Sequence, residues 1–182
     1  MARIIKSMED KYLKESKELV EKVFSESEDA ESGKMVGRLV EEIRAKKYYI
    51  PELEFIMVNE ENAVIGYAMF SSFHLGGKYE DELLILTPVA VKTGLQRQHI
   101  SKEIIEYGFE VAKKLGYKAV LVEGNPQNYR SRGFDSSYKY GIEAAGSVQL
   151  PHPDCLMVKE LEEGALEHIS GLLDYSYYEC LK

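Results

Sequence analysis

The chain has 182 residues, 45% of them hydrophobic and 30% charged, with a formal net charge of -8 at pH 7. That length suits one domain, 1–182, with a substantial core. The acidic balance argues against non-specific nucleic-acid binding, which rests on phosphate neutralisation by Lys and Arg. No apolar run approaches a membrane span. The opening Met1-Ala2-Arg3-Ile4-Ile5-Lys6 carries no signal-peptide core, and Cys155 and Cys180 lie too far apart for a metal-ligand spacing. These features point to a cytoplasmic protein without metal.

Arg3 to Ser7 reads as a first strand. Glu9 to Phe24 reads as a helix, with Tyr12, Leu19, Val20, Val23 and Phe24 on one face. Ser25 to Glu31 reads as an acidic loop, and Ser32 as the N-cap of a second helix with Met35, Val36, Leu39, Val40 and Ile43 as its apolar stripe. Tyr48-Tyr49-Ile50-Pro51 ends it, since the residue before proline is pushed out of the helical region. Glu54 to Asn59 and Ala63 to Ser71 read as strands joined by an Asn-Glu-Glu-Asn turn.

Leu83 to Val91 is an apolar strand. Gln98 to Leu115 is a helix, with Ile100, Ile104, Ile105, Phe109, Val111, Ala112 and Leu115 at helical spacing and Gly116 at its end. Lys118 to Glu123 is another strand. A short helix follows over Pro126 to Arg132, and weaker strands lie near Ile142 to Leu150 and Cys155 to Lys159. The Tyr-rich tail, Leu172 to Lys182, gives no clear pattern and is a candidate dimer contact. The order of elements implies a mixed sheet covered by helices.

The richest stretch is Leu83 to Gly116. A strand breaks into the polar turn Lys92-Thr93-Gly94-Leu95-Gln96-Arg97-Gln98-His99, and a helix starts at once. The first amides of a helix lack intrahelical partners and can hold an anion. Lys92, Arg97 and Lys102 flank this start. A solvated helix start explains the same residues, and the composition does not separate the two.

Several segments together resemble the GCN5-related N-acetyltransferase (GNAT) superfamily, and within it a bacterial branch of acetyltransferases. Tyr48-Tyr49-Ile50-Pro51-Glu52-Leu53 resembles that branch's Tyr-Ile-Pro-Glu-Leu. Ala63-Val64-Ile65-Gly66-Tyr67 resembles its Ile-Val-Gly-His strand, and Leu86-Thr87-Pro88-Val89-Ala90-Val91 its Leu-x-Pro-Leu-Ala-Val. Gly124-Asn125-Pro126 with Tyr129-Arg130-Ser131-Arg132-Gly133-Phe134 resembles Gly-Asp-Pro with Tyr-x-x-x-Gly-Phe. Lys159-Glu160-Leu161-Glu162-Glu163-Gly164-Ala165-Leu166 resembles the closing Glu-Leu-x-x-Gly-Ala-Leu. The five occur in the family's order across nearly the whole chain.

The resemblance implies an α/β (α+β) fold: a mixed, mostly antiparallel sheet of about six to seven strands flanked by helices, with the fourth and fifth strands splayed. It implies acetyl-CoA as co-substrate, with the pantetheine arm on the main chain of Val89, Ala90 and Val91. The pyrophosphate then lies on Gln96, Arg97, Gln98, His99, Ile100, Ser101 and Lys102, with Asn125 and Tyr129 completing the site. The family's loop reads Gln/Arg-x-x-Gly-x-Gly/Ala. Here His99 takes the place of the first glycine and Ser101 that of the second small residue. Helical dihedrals at position 99 would turn its Cβ away from the ligand.

Acetyl transfer to an amine needs a neutral amine, a donor for the developing oxyanion and a proton for the leaving thiolate. Tyr129 matches the tyrosine that gives this proton; packing is its other reading, in a chain with 13 tyrosines. Glu80 and Glu82 are candidate bases, with a solvated loop over Gly76 to Glu82 as the alternative. His74, His152 and His168 read as surface or loop histidines, and Cys155 as core. The implied activity is direct acetyl transfer to a primary amine. A CoA-binding sensor or scaffold of the same fold is the alternative that His99 keeps open. A nucleotide enzyme of another kind would need a Gly-x-x-x-x-Gly-Lys-Ser/Thr or Gly-x-Gly-x-x-Gly motif, which the chain lacks.

Overall fold

The computed structural model describes residues 2–182; Met1, the first residue of the expected domain, lies outside them. The strands are β1 (Arg3–Ser7), β2 (Glu54–Asn59), β3 (Val64–Ser72), β4 (Leu83–Val91), β5 (Ala119–Glu123), β6 (Asp135–Ser136), β7 (Ile142–Ala144), β8 (Leu156–Glu160) and β9 (Gly171–Leu173). The helices are α1 (Leu13–Ser27), α2 (Ala30–Arg44), α3 (Ile100–Lys114) and the single turn α4 (Pro126–Tyr129). Seven strands form one sheet in the order β1-β2-β3-β4-β5-β8-β6, and β7 pairs with β9. The pairs β1–β2, β2–β3, β5–β8 and β6–β8 are antiparallel, whereas β4–β5 is parallel. This is the mixed, mostly antiparallel sheet expected from the sequence.

The chain divides into two compact units, and β4 and α3 contribute to both. Of the described residues, the first holds 2–71, 87–108 and 177–182. Its β2 and β3 are buried almost throughout, which is why they read as continuous apolar runs rather than alternating ones. Helix α1 packs on α2 at Gly33, where a Cβ would meet the Glu21 carbonyl oxygen at 2.5 Å.

One buried carboxylate joins four elements of this unit. Glu54 is fully buried at the start of β2. Its Oε2 accepts from Arg44 Nε at 2.8 Å and from the Tyr67 hydroxyl, and its Oε1 accepts from the Tyr49 hydroxyl at 2.6 Å. Arg44 in turn donates to the Leu13 carbonyl at 3.2 Å and to Ser16 Oγ at 3.0 Å. The tail docks on α2. Tyr177 stacks on Tyr48 with centroids 4.8 Å apart, and the Glu42 carboxylate accepts the amides of Glu179 and Cys180.

The second unit holds residues 72–86 and 109–176. Its centre is β5, paired with β4 on one side and β8 on the other, and wholly buried up to Glu123. The parallel ladder runs from Leu83↔Ala119 to Ile85↔Leu121, while β4 continues to Val91 and β5 to Glu123. Phe109, Phe134 and Tyr129 form a chain of ring contacts, each with centroids 5.7 Å apart.

Several local expectations change. The expected acidic loop is largely helical: α1 runs to Ser27, and α2 is capped by Asp29, whose side chain accepts from the Ser32 amide at 2.7 Å. Ser32 therefore lies inside the helix. The earlier carboxylate wins because it accepts more strongly than a hydroxyl at the positive helix end. The expected strand at Ile142 to Leu150 stops at Ala144, where its pairing with β9 ends. His74 lies in a loop but is buried, Leu115 of the apolar series is 47% exposed, and Cys155, expected in the core, is half-buried.

Arg44→Met would leave the Glu54 carboxylate buried without its cation. The expected loss is about 3–5 kcal/mol, read as a lower urea midpoint. A pH effect follows from the tyrosines of this unit. Burial, with Glu54 beside Tyr67 and Glu42 beside Tyr48, pushes the phenols of Tyr67, Tyr48 and Tyr178 well above their ordinary value. Below the unfolded value of about 10 both states are protonated and stability is intact. Above it the unfolded chain ionises first, so stability falls by about 1.4 kcal/mol per pH unit for each tyrosine. Urea midpoints measured on either side of that value check this.

Candidate active site

In the first unit the strand-to-helix turn is built from backbone. Lys92 N–H donates to the Ile65 carbonyl at 2.9 Å, and Leu95 N–H to the Lys92 carbonyl at 3.0 Å. Gly94, Arg97 and His99 have φ of 93°, 65° and 64°. The helical backbone considered for position 99 is therefore not adopted. His99 keeps the left-handed conformation that a glycine would favour, at a cost of roughly 1–2 kcal/mol for an L-residue.

The first intrahelical bond of α3 runs from Glu103 N–H to the His99 carbonyl at 2.9 Å. The amides just before it end the helix in donors. Ile100 is buried and seats that end against Gly66, where a Cβ would lie 2.7 Å from Ile100 Cγ2. Gln96, Arg97, Gln98 and His99 are exposed, and Ser101 and Lys102 partly so. Lys102 meets Glu106 at the 4.0 Å limit of an ion pair. The structure thus brings the loop residues 96–102 together at one helix end. Val89 and Val91 are half-buried and Ala90 is buried on the strand that leads into the turn.

Arg3 holds this turn, a role that no local pattern around residue 3 signals. Its Nη2 donates to the Gln98 carbonyl at 2.9 Å and to Glu103 Oε1 at 2.6 Å. Thr93 Oγ1 donates to the Glu26 carboxylate, and Glu15 Oε1 accepts the Val64 amide at 2.9 Å. These bonds border a shallow cleft of roughly 210 Å³ lined by Glu15, Glu18, Lys22, Val64, Lys92 and Thr93.

In the second unit Asn125 caps α4, its Oδ1 accepting the Gln127 amide at 3.0 Å. Tyr129 ends that turn. Its ring lies edge-on to Phe134, carries the Arg132 guanidinium 5.8 Å from its centroid, and presses on Gly124, where a Cβ would come within 2.7 Å of Cε2. Burial raises the Tyr129 phenol above its ordinary value, against a smaller opposing pull from Arg132. The hydroxyl is therefore protonated at neutral pH and able to donate.

Glu82 lies 3.4 Å from Lys118 and 3.4 Å from His168. Its carboxylate is paired with the Lys118 ammonium and lies beside the His168 ring. Glu80 contributes its main-chain carbonyl to Ser72 Oγ at 2.6 Å. Glu123, which sequence reading passed over as the end of a strand, accepts from the Tyr175 hydroxyl at 2.7 Å. Among the described residues no group of three or more His, Cys, Asp or Glu is placed to hold a metal, and no helix is long and apolar enough to cross a membrane.

A family model described as Acetyltransferase (GNAT) family matches residues 17–135. The uncharacterized N-acetyltransferase YhbS of Escherichia coli (strain K12) is 25% identical over 140 residues, which is 76% of this chain and 80% of that protein. The crystal structure of E. coli YhbS in complex with CoA superposes with a TM-score of 0.84 at 22% identity, covering 98% of this chain and 91% of that one. A GNAT family acetyltransferase from Brucella melitensis in complex with acetyl-CoA gives 0.75 at 19% identity, covering 100% and 99%. These two structures share the fold described above.

His99→Gly should remove the left-handed cost, offset in part by the extra freedom of glycine in the unfolded chain. The expected outcome is a gain of up to about 1 kcal/mol, read from urea unfolding. His99→Ala keeps a Cβ in the same conformation and should show no such gain.

Proposed function

Because the chain belongs to the acetyltransferase (GNAT) family, we propose that it transfers an acetyl group from acetyl-CoA directly to the primary amine of an acceptor. The observation that carries this reading is the short parallel ladder. β4 pairs with β5 over three residues and then runs on to Val91. In this reading the main chain of Val89, Ala90 and Val91 would pair with a pantetheine arm. Two relatives of the same fold are described as complexes with CoA and with acetyl-CoA.

The turn that follows supports a pyrophosphate site. Amides bind phosphate through main-chain N–H groups, which every residue except proline supplies, and they end α3 beside Arg97 and Lys102. His99 adopts left-handed backbone, a conformation that glycine favours, and its own amide remains a donor. A backbone N–H near Val91 would stabilise the oxyanion. Tyr129, held protonated by burial, would give its proton to the departing thiolate.

The second reading is a protein that binds CoA and does not turn over. The exposed imidazole of His99 at the mouth of the loop favours it. Incubation with acetyl-CoA and a panel of primary amines, following free thiol, separates the two: binding without release on any amine supports the second reading. Within the first, Tyr129→Phe should lower kcat by about 100-fold with the acetyl-CoA dissociation constant unchanged. An unchanged rate would remove Tyr129 from the acid role.

A further inference from the structure

Arg3 is paired with Asn59 of β2, so its main chain is fixed in an antiparallel ladder that spans all of β1. Its side chain reaches the turn before α3. Nη2 donates to the Gln98 carbonyl at 2.9 Å and to Glu103 Oε1 at 2.6 Å, and Nε donates to Glu103 Oε2 at 3.3 Å. A planar fork that grips both oxygens of a carboxylate has a fixed orientation. The carbonyl it also holds is therefore fixed. All of these groups lie in the first unit.

That carbonyl sets where the next amide points. A trans peptide is planar, and its C=O and N–H face opposite ways. Holding the Gln98 carbonyl toward β1 turns the His99 N–H away from β1, at a residue that is exposed. The alternative is a peptide plane turned over by half a rotation. It would bring φ of His99 from 64° to negative values and release the left-handed strain of an L-residue. It would also put a carbonyl where the donor stood. A glycine at 99 has no such strain to release, whereas a histidine does, so this chain needs the carbonyl tied down. The same fork cancels the Glu103 carboxylate, which lies in the first turn of α3 and would otherwise meet an anion there with like charge.

On the transferase reading above, we infer that Arg3 is a positioning residue for the diphosphate of acetyl-CoA. It touches no ligand itself. It aims the His99 amide by holding the Gln98 carbonyl, and it neutralises the carboxylate at the helix end that receives the phosphates.

The test measures dissociation constants of the intact chain for acetyl-CoA and for S-acetylpantetheine, which carries the same thioester and no diphosphate. Arg3→Met keeps the β1 ladder, which runs on main chain. It should weaken acetyl-CoA about 10-fold, with far less effect on S-acetylpantetheine. Arg3→Lys keeps the charge without the fork and should fall between. In the His99→Gly background the loss caused by Arg3→Met should shrink, because the two positions are coupled through one peptide plane. An equal loss on both thioesters, no loss on acetyl-CoA, or an undiminished loss with glycine at 99 overturns the positioning role and leaves the transferase reading standing. A wild-type chain that binds acetyl-CoA no more tightly than S-acetylpantetheine removes the diphosphate site, and the role of Arg3 with it.

Discussion

The first unit is organised around a carboxylate that water never reaches. Removing an ion from water costs several kcal/mol, and a single partner does not recover it. Glu54 meets this with one guanidinium and two phenols, so both of its oxygens are satisfied. The guanidinium is held by the backbone of Leu13 and by Ser16. Position is what this arrangement specifies. The N-terminal end of α1, the last turn of α2 and strands β2 and β3 must all arrive in one register for the network to close. A low dielectric strengthens each bond and makes each missing one costly. The seven-residue core of β3, with Tyr67 in its middle, has no other polar side chain so placed until Ser71.

The turn before α3 shows the same dependence on distant support. Two non-glycine residues, Arg97 and His99, occupy left-handed backbone within three positions. Such conformations persist where the surroundings over-determine them. Here Arg3 reaches from β1 to the Gln98 carbonyl between them, and Ile100 locks the following residue against Gly66. The loop's shape is therefore set by its neighbours, and the identity of the side chain at 99 is secondary to it. That is why a histidine stands where a glycine is the natural choice.

How much of this was legible follows from the range of the forces involved. β4 was read to its end residues because an apolar run between two polar turns is a local signal. α3 was read to within two residues at its start, since its periodicity is local as well. The cap of α2 was misplaced by three residues because Asp29 and Ser32 both qualify by type, and only the folded helix shows which accepts. β9 was missed because three residues make a strand only when β7 stands beside them. Tyr129 and the loop are candidates that only resemblance to a family singles out. Arg3, Glu54 and the pair Glu123–Tyr175 were invisible, since each acts through a partner from 10 to 100 positions away. Glu82 looked available in the linear chain because nothing in it shows Lys118 and His168 arriving beside that carboxylate.

The stack of Tyr177 on Tyr48, with an angle of 6° between the rings, has an optical consequence. The chain contains no tryptophan, so its near-ultraviolet absorption and emission come from phenol rings without a stronger chromophore to mask them. Two rings face to face in a fixed orientation, with Tyr178 set edge-on to the same Tyr48, give an asymmetric signal that vanishes when the last residues lift from α2. The protein thus carries a built-in spectroscopic reporter on the seating of its own C-terminus, readable by circular dichroism without any label.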